Sequence, residues 1–349
     1  MARPRIGALV LLAFAAASAD AAPSADAAAP SADAAAPAVA AGAAAADPLR
    51  VRNLAPASFL YGLPAPQGRA LAAGERRLAL HVEHANNFTA RRTGALDVYL
   101  DGSTTVASLA YRQGLGERWE WGLEVPLVHH GGGFTDGFID DFHDLFGFPD
   151  GGRDAAPRNR LDYRISAGAE ALVDIGSRRR GLGDVRLWGG YRLAAGGDRD
   201  AAVRAHVKLP SGDVDDLTGS GAADVAVWVE LAERAWLGTL GTTVTMMAGV
   251  TAPGDGDLLR DRQRDVVASA HLGLHRPLGE RVVLRAQLDG HSEVLDTGIR
   301  ALGGPSLQGT LGATVLLARR WHFDLALSED MVTRSAPDVV FLASLSRRW

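Results

Sequence analysis

Four side chains suited to metal or acid–base chemistry sit together at Asp140, Asp141, His143 and Asp144, with His129 and His130 just upstream. Carboxylate and imidazole are common donors to divalent metals. The spacing offers less than the composition, because on a helix only Asp140 and His143 stand one turn apart. One such pair does not make a metal site. The acidic run therefore reads as a solvated face, with no metal and no cofactor expected. Arg153, Arg158 and Arg160 follow; guanidinium groups suit carboxylates or lipid phosphates, and pairing with the neighbouring aspartates is the expected use.

Nucleophilic catalysis needs a nucleophile held beside a base. Ser269 and His271 share a strand face with Asp265 nearby, and Asp289, His291 and Ser292 form a second such group. Residues i and i+2 on one strand do not give triad geometry, and no Gly-x-Ser-x-Gly element occurs. Gly181-Leu182-Gly183-Asp184 is a turn, with no following helix to cradle a phosphate. No enzyme is expected and no catalytic residue is assigned.

The elements that must carry these residues show two periods. Five of the ten phenylalanines lie in 131–160. At about 100° per residue, Phe134, Phe138, Phe142, Leu145 and Phe146 share an apolar arc, with Phe148 just beyond. Asp136, Asp140, His143 and Asp144 face away. That pattern predicts a short amphipathic helix, read as a plug or gate. Elsewhere the period is two. Trp119, Trp121, Leu123, Val125 and Leu127 alternate with Glu120, Gly122 and Glu124. Leu187, Gly189, Tyr191 and Leu193 alternate with Arg186, Trp188 and Arg192, and Phe323 and Leu325 with His322 and Asp324.

A soluble sandwich hides the apolar face of such strands, whereas an outer-membrane barrel turns it to lipid and keeps the polar face for its lumen. Aromatic residues near strand ends (Trp119, Tyr191, Trp321) and full charges opposite the apolar face favour the barrel. Glu120, Glu124, Arg186, Arg192, Arg204, Lys208 and Asp324 are the expected lumen-facing charges, read as a packed internal network. In the ending PDVVFLASLSRRW, Val339, Phe341, Ala343, Leu345 and Trp349 hold the phase and Arg347 breaks it. Phe341 and Trp349 are assigned to an assembly signal. Alternating short and long connections place strands near 75–87, 95–113, 118–129, 183–193, 200–209, 222–232, 239–251, 265–276, 281–291, 306–318, 321–332 and 338–349. The expected fold is an all-β, transmembrane, antiparallel up-and-down barrel of about twelve strands. The second strand is expected to need a bulge near Asp101-Gly102. The stretch 161–176 is also partly β. Counted into the wall it would make about fourteen strands, and it is assigned instead to an external or lumenal insertion over 130–182.

Arg3 and Arg5 precede the apolar run 6–17 and the small residues Ala17-Ser18-Ala19 and Ala19-Asp20-Ala21, which reads as a signal peptide over 1–21. Residues 22–50, with SADAAAP twice, read as a disordered Ala/Pro-rich linker, leaving 51–349 as the barrel. The absence of cysteine excludes disulfides, thiolate metal sites and a catalytic Cys. A net charge of −5, with 36 dispersed basic residues, gives no footprint for nucleic acid.

The motifs FIDDFHDLFGFP (138–149), DGGR (150–153), PRNR (157–160) and GLGDV (181–185) resemble a Gram-negative family known only as a conserved domain of unknown function, over 54–349. YRQGLGERWEWGLEVP (111–126) and KLPSGD (208–213) are similar to a wider group of outer-membrane barrels associated with transport or aromatic-degradation operons. The resemblance implies the outer membrane of a Gram-negative bacterium, with lipid, lipopolysaccharide and the barrel-assembly machinery as partners. It also implies a passive channel for a small hydrophobic or amphiphilic solute, gated or plugged by 131–160. The rival readings are a structural or adhesive envelope protein and, behind it, an outer-membrane hydrolase.

Overall fold

Alternating sequences become strands because a pleated chain points successive side chains to opposite faces. In a computed structural model, which describes residues 47–133, 137, 159–318, 320–331 and 334–349, they form one antiparallel sheet. Its strands are β1 (Arg76–Thr93), β2 (Leu96–Leu115), β3 (Trp119–Gly131), β4 (Asp162–Ala167), β5 (Glu170–Ile175), β6 (Arg179–Leu182), β7 (Arg186–Ala194), β8 (Arg199–Lys208), β9 (Asp224–Leu237), β10 (Thr242–Ala252), β11 (Val267–Leu278), β12 (Val282–His291), β13 (Ser306–Ala318), β14 (Trp321–Asp330) and β15 (Val339–Arg348). β1 pairs with β2 on one side and β15 on the other, so the sheet closes. Twelve strands form the wall, β1–β3 and β7–β15, and three are additional. The fold is that of an outer-membrane β-barrel, with its wall strands where the alternation puts them.

The short links at 116–118, 195–198, 238–241 and 279–281 lie at the end that carries Arg76 and Trp349, whose backbones bond to each other. The long connections 209–223, 253–266 and 292–305 lie at the other end. Along the wall the outward face is apolar: Leu80, Leu109, Leu127, Val229, Leu272, Leu311 and Leu325 are all exposed. A continuous apolar exterior of this kind is unfavourable in water and is what a bilayer requires. Trp119, Trp236, Trp321 and Trp349 lie exposed toward the short-turn end, with Trp119 packed on Tyr191 at 4.9 Å, as an interfacial girdle.

β1 and β2 continue beyond the wall at the long-loop end. There β2 pairs through 96–101 with β4 in place of β3, and β5 pairs with β4. The stretch 161–176 is thus largely a hairpin added to this extension and is not a wall strand. β6 caps β3 similarly through 127–130, above β7. The bulge expected near Asp101-Gly102 is not formed, since the β1–β2 register runs unbroken from Arg76↔Gln113 to Thr93↔Leu96. Instead the apolar residues change face along β2. Leu109 is 51% exposed on the outside, whereas Leu100, 2% exposed, packs inward with Tyr163 and Ile165. The strand passes from a bilayer into water, and the side that must be apolar inverts.

Residues 47–73 form no wall strand. They pass into the lumen, where Asp47, Leu49, Val51, Arg52 and Leu54 are buried, so residues 47–50 are not part of a free linker. Pro48, Pro56, Pro64 and Pro66 explain the irregular course, because each lacks an N–H and interrupts any ladder. The stretch expected to be a signal peptide (1–21), the expected linker as far as residue 46, and 134–158 apart from Gly137 lie outside the described residues.

Candidate functional site

The lumen is occupied by its own N-terminal segment, and the geometry of that plug defines the site. The plug rises from the short-turn end, turns under the long loops and returns to β1. At its start Asp47 pairs with Arg348 and lies 3.7 Å from Arg77. Leu49 exchanges two backbone bonds with the Gln287 side chain, at 2.6 and 3.1 Å. Arg50 pairs with Glu124, and Arg52 with both Glu83 and Glu124, the latter at 3.2 Å. Asn53 donates to Ser335 O at 2.9 Å and bonds His291 at 3.0 Å.

The tip is a single 3-10 turn, Ser58–Leu60. Beyond it, Gly62 N–H donates to Asp224 at 2.7 Å while Gly62 O accepts from His206 Nε2 at 2.8 Å. Gln67 and Gly68 donate to Glu230. Gly68 O accepts from Arg204 at 2.7 Å, and Arg112 donates to the carbonyls of Gln67 and Arg69. Leu71 donates to Glu120 at 3.0 Å and accepts from Arg192 at 2.8 Å. An irregular backbone inside a barrel has no ladder to join, so its polar groups must find side chains. The charged wall residues supply them. Gly68, at φ +78°, makes the turn that sets its amide on Glu230. Gly114 lets the return limb cross closely: a Cβ there would stand 1.9 Å from Ala72 O.

The charges also pair across the wall. Arg204, 1% exposed, meets Glu120 at 2.7 Å and Glu230 at 3.1 Å. Arg112 and Arg204 lie over the Trp188 ring. Lys208 is fully buried between Asp184 at 2.5 Å and Asp224 at 3.3 Å, and also donates to Ser220 and Ala222 O. Ser211 accepts from Val185 N and donates to Gly183 O, and Gly212 N donates to Asp184. The two separate motifs GLGDV and KLPSGD are therefore one built junction.

The histidines make a chain across strands. His271 Nδ1 stands 2.8 Å from Asp289, and its Nε2 2.9 Å from Thr245 Oγ1, which also bonds His275 at 2.6 Å. Hydroxyl, imidazole and carboxylate stand in hydrolytic order here. The hydroxyl, however, is buried beneath Pro48 and Pro66, beside a cavity of only about 10 Å³. A larger cavity, about 40 Å³ of water-accessible space, lies beside Arg52, Asn53, Arg186, Ser269, Asp289 and Gln308. That is room for two or three waters. Burial raises the Tyr61 hydroxyl pKa at the plug tip and pushes that of Tyr163 on β4 up to about 12, so both stay protonated; Tyr61 accepts from Gln263 and Tyr163 from Asn87.

Of the residues singled out in the sequence, Glu120, Glu124, Arg186, Arg192 and Arg204 contact the plug or one another, Lys208 pairs with Asp184 and Asp224, and Asp324 accepts from Thr314 at 2.6 Å. Phe134, Phe138, Phe142, Leu145, Phe146, Phe148, Asp140, Asp141, His143, Asp144, Arg153 and Arg158 lie outside the described residues. Arg160 is exposed and pairs with Asp162 at 2.5 Å. His129 is exposed and His130 is buried, donating to Leu217 O at 3.0 Å and bonding Thr104, so they do not share a site. Ser269 and His271 are not bonded to each other; His271 looks across to β10 and β12 instead. Among the described residues no group of three His, Asp or Glu could hold a metal. The plug itself was missed. Its signal is the density of Leu49, Val51, Leu54, Phe59, Leu60 and Tyr61, too apolar for a solvated linker.

The fold is similar to that of the COG4313 outer membrane channel from Pseudomonas putida F1, with a TM-score of 0.52 and 13% identity over 80% of this chain and 97% of that one. A weaker likeness, TM-score 0.39 and 10% identity over 80% of this chain and 90% of the other, links it to the toluene transporter TbuX of Ralstonia pickettii. Among curated protein sequences none matches. The family model described as protein of unknown function (DUF3187) matches residues 29–349, and the chain belongs to that family.

Proposed function

We propose that the protein is an outer-membrane channel of a Gram-negative bacterium, closed by its own residues 47–73 and passing small solutes when that segment withdraws. The observation that carries this is how the lumen is filled. The plug limbs are held through side-chain bonds to an irregular backbone, each of which water can replace. A lumen filled permanently by wall side chains would need no such segment. The lining supports a small polar or charged solute along the axis, in place of the hydrophobic or amphiphilic one the resemblance implies. β3 ends at Gly131 and β4 begins at Asp162, both at the long-loop end, and the gating role expected of 131–160 is kept in this proposal as a second closure at that end.

Planar-bilayer conductance tests this. Combining Arg50→Ala with Arg52→Ala should raise the time-averaged current at least about tenfold, the population shift that roughly 1.4 kcal/mol produces, and deleting 47–73 should raise it further. Both variants should keep the heat-dependent gel mobility of a folded barrel. Folded variants with unchanged permeability would favour the structural or adhesive envelope reading and sink the channel.

A further inference from the structure

We infer that the middle of the lumen is a binding site for a small organic cation, a guanidinium or ammonium compound, which Arg50 and Arg52 of the plug occupy in the closed barrel. This rests on the channel reading and names its solute class. Around the heads of these two arginines the wall presents Glu83 and Glu124, with Asp289 beyond, and Arg186, which meets Glu124 at 3.2 Å; Arg77, Arg112 and Asp324 line the other side of Arg50. Asp289 is engaged by His271 at 2.8 Å. Counted over Glu83, Glu124, Asp289 and Arg186 the wall is acidic, and the two plug arginines neutralise that set. Although two residues apart on an irregular chain, both reach the same two carboxylates. Arg50 bonds Glu124 and lies 3.5 Å from Glu83; Arg52 bonds Glu83 through Nη2 and Nε, Glu124 through Nη1 and Ser108 through Nη2.

The remaining charges follow the same logic. At the short-turn end the wall offers Arg77 and Arg348, and the plug brings Asp47 to them. Toward the long loops Lys208 sits between two aspartates, an acidic balance. The plug thus brings opposite charge to the wall at two levels, Asp47 and then Arg50 with Arg52, whereas from 53 to 68 it carries no charge and meets Asp224 through the Gly62 amide. When it withdraws, Glu83 loses Arg50 and Arg52, and of its three arginines Glu124 keeps Arg186. Glu83 Oε1 is already buried without a hydrogen-bond partner. A ring of carboxylates in a narrow pore selects cations. A planar guanidinium matches the carboxylate geometry that the plug arginines now use. A solute that binds only the vacated ring also stabilises the open state by linkage.

The full chain in planar bilayers separates the outcomes. In the Arg50→Gln/Arg52→Gln variant, the reversal potential under a potassium chloride gradient should show cation preference. Adding Glu83→Gln and Glu124→Gln should reduce that preference about tenfold, as loss of charge-assisted bonds implies, while current persists. Low millimolar guanidinium chloride should raise the open probability of the unmodified chain more than potassium chloride at equal ionic strength. Should the fourfold variant not refold by its gel mobility, Glu83→Gln alone on the same background gives the same reading. Anion preference, or cation preference indifferent to the carboxylates, would overturn the cation site and leave the channel standing. No current from folded Arg50→Gln/Arg52→Gln or from the folded 47–73 deletion would overturn the channel itself.

Discussion

The inside of this barrel is built in two ways. Within the wall it is charged, and the plug limbs meet it through hydrogen bonds and ion pairs. At the long-loop end it is apolar: Leu54, Phe59, Leu60 and Tyr61 of the plug tip join Leu100, Tyr163, Ile165, Leu217, Leu258, Val294 and Leu302 in one core. The two grips respond differently to opening. Limb bonds exchange for water at small net cost, whereas each apolar square ångström exposed at the tip costs about 25 cal/mol with nothing to replace it. The cap therefore adds the larger share of the cost of withdrawal, while the charged limbs set the register of the plug and add a smaller share, about 1 kcal/mol per anchor.

The largest effect is expected where the two regions meet. Lys208 holds Asp184, whose other contacts fold the 209–223 loop back, and Asp224, which holds the plug turn at Gly62. Lys208→Ala leaves two carboxylates buried without their cation, and removing one partner of a buried pair costs about 3–5 kcal/mol. The urea midpoint of the barrel refolded in micelles should fall accordingly, and the 209–223 loop should become sensitive to protease. Adding Asp184→Asn and Asp224→Asn should return most of the loss. A midpoint unmoved by Lys208→Ala would mean that the junction does not link cap to plug.

A smaller and sharper contrast lies on one strand. Leu100 is packed in the cap, Leu109 faces outward from the wall, and both are leucines on β2. Leu100→Ala opens a cavity in a water-surrounded core and should cost about 2–5 kcal/mol, read as faster hydrogen exchange across β4 and β5. Leu109→Ala leaves a smaller apolar group among apolar lipid tails, and under about 1 kcal/mol is expected in the micelle midpoint. Equal losses would show that the inversion of faces along β2 does not reflect two solvents.

That inversion also marks how far the sequence could be read. Period two located the wall strands because every one of them separates lipid from lumen, and Glu120, Glu124, Arg204 and Lys208 fall on the inner side by phase alone. Past Asp101 the same alternation continues with the solvent changed, so a shift of apolar phase imitates a bulge. The plug has no period at all. Its four prolines and its partners on distant strands, such as Gly62 with Asp224 or Leu49 with Gln287, give no local pattern. The Asp184–Lys208 pair was equally hidden, although both residues lay in motifs already singled out, because only the β7–β8 pairing brings their ends together.

The smallest effect concerns Arg347, the residue that breaks the apolar phase of the last strand. Its guanidinium lies 5.6 Å from the Trp321 ring centroid and 5.8 Å from that of Trp349, on the outer rim at the short-turn end. A charge on the lipid side is tolerable there because the long side chain reaches the interface and rests on two indole faces. Arg347→Ala should lower the micelle midpoint by only about 0.5–1 kcal/mol. It should leave conductance and ion preference untouched, since the residue contacts neither limb nor tip of the plug. Arg347→Leu restores the phase and should be nearly neutral, which separates the loss of the aromatic contacts from any demand for charge at the rim. A change in gating from either substitution would mean that the rim and the lumen are not independent, and the division of the barrel into separately held regions would fail.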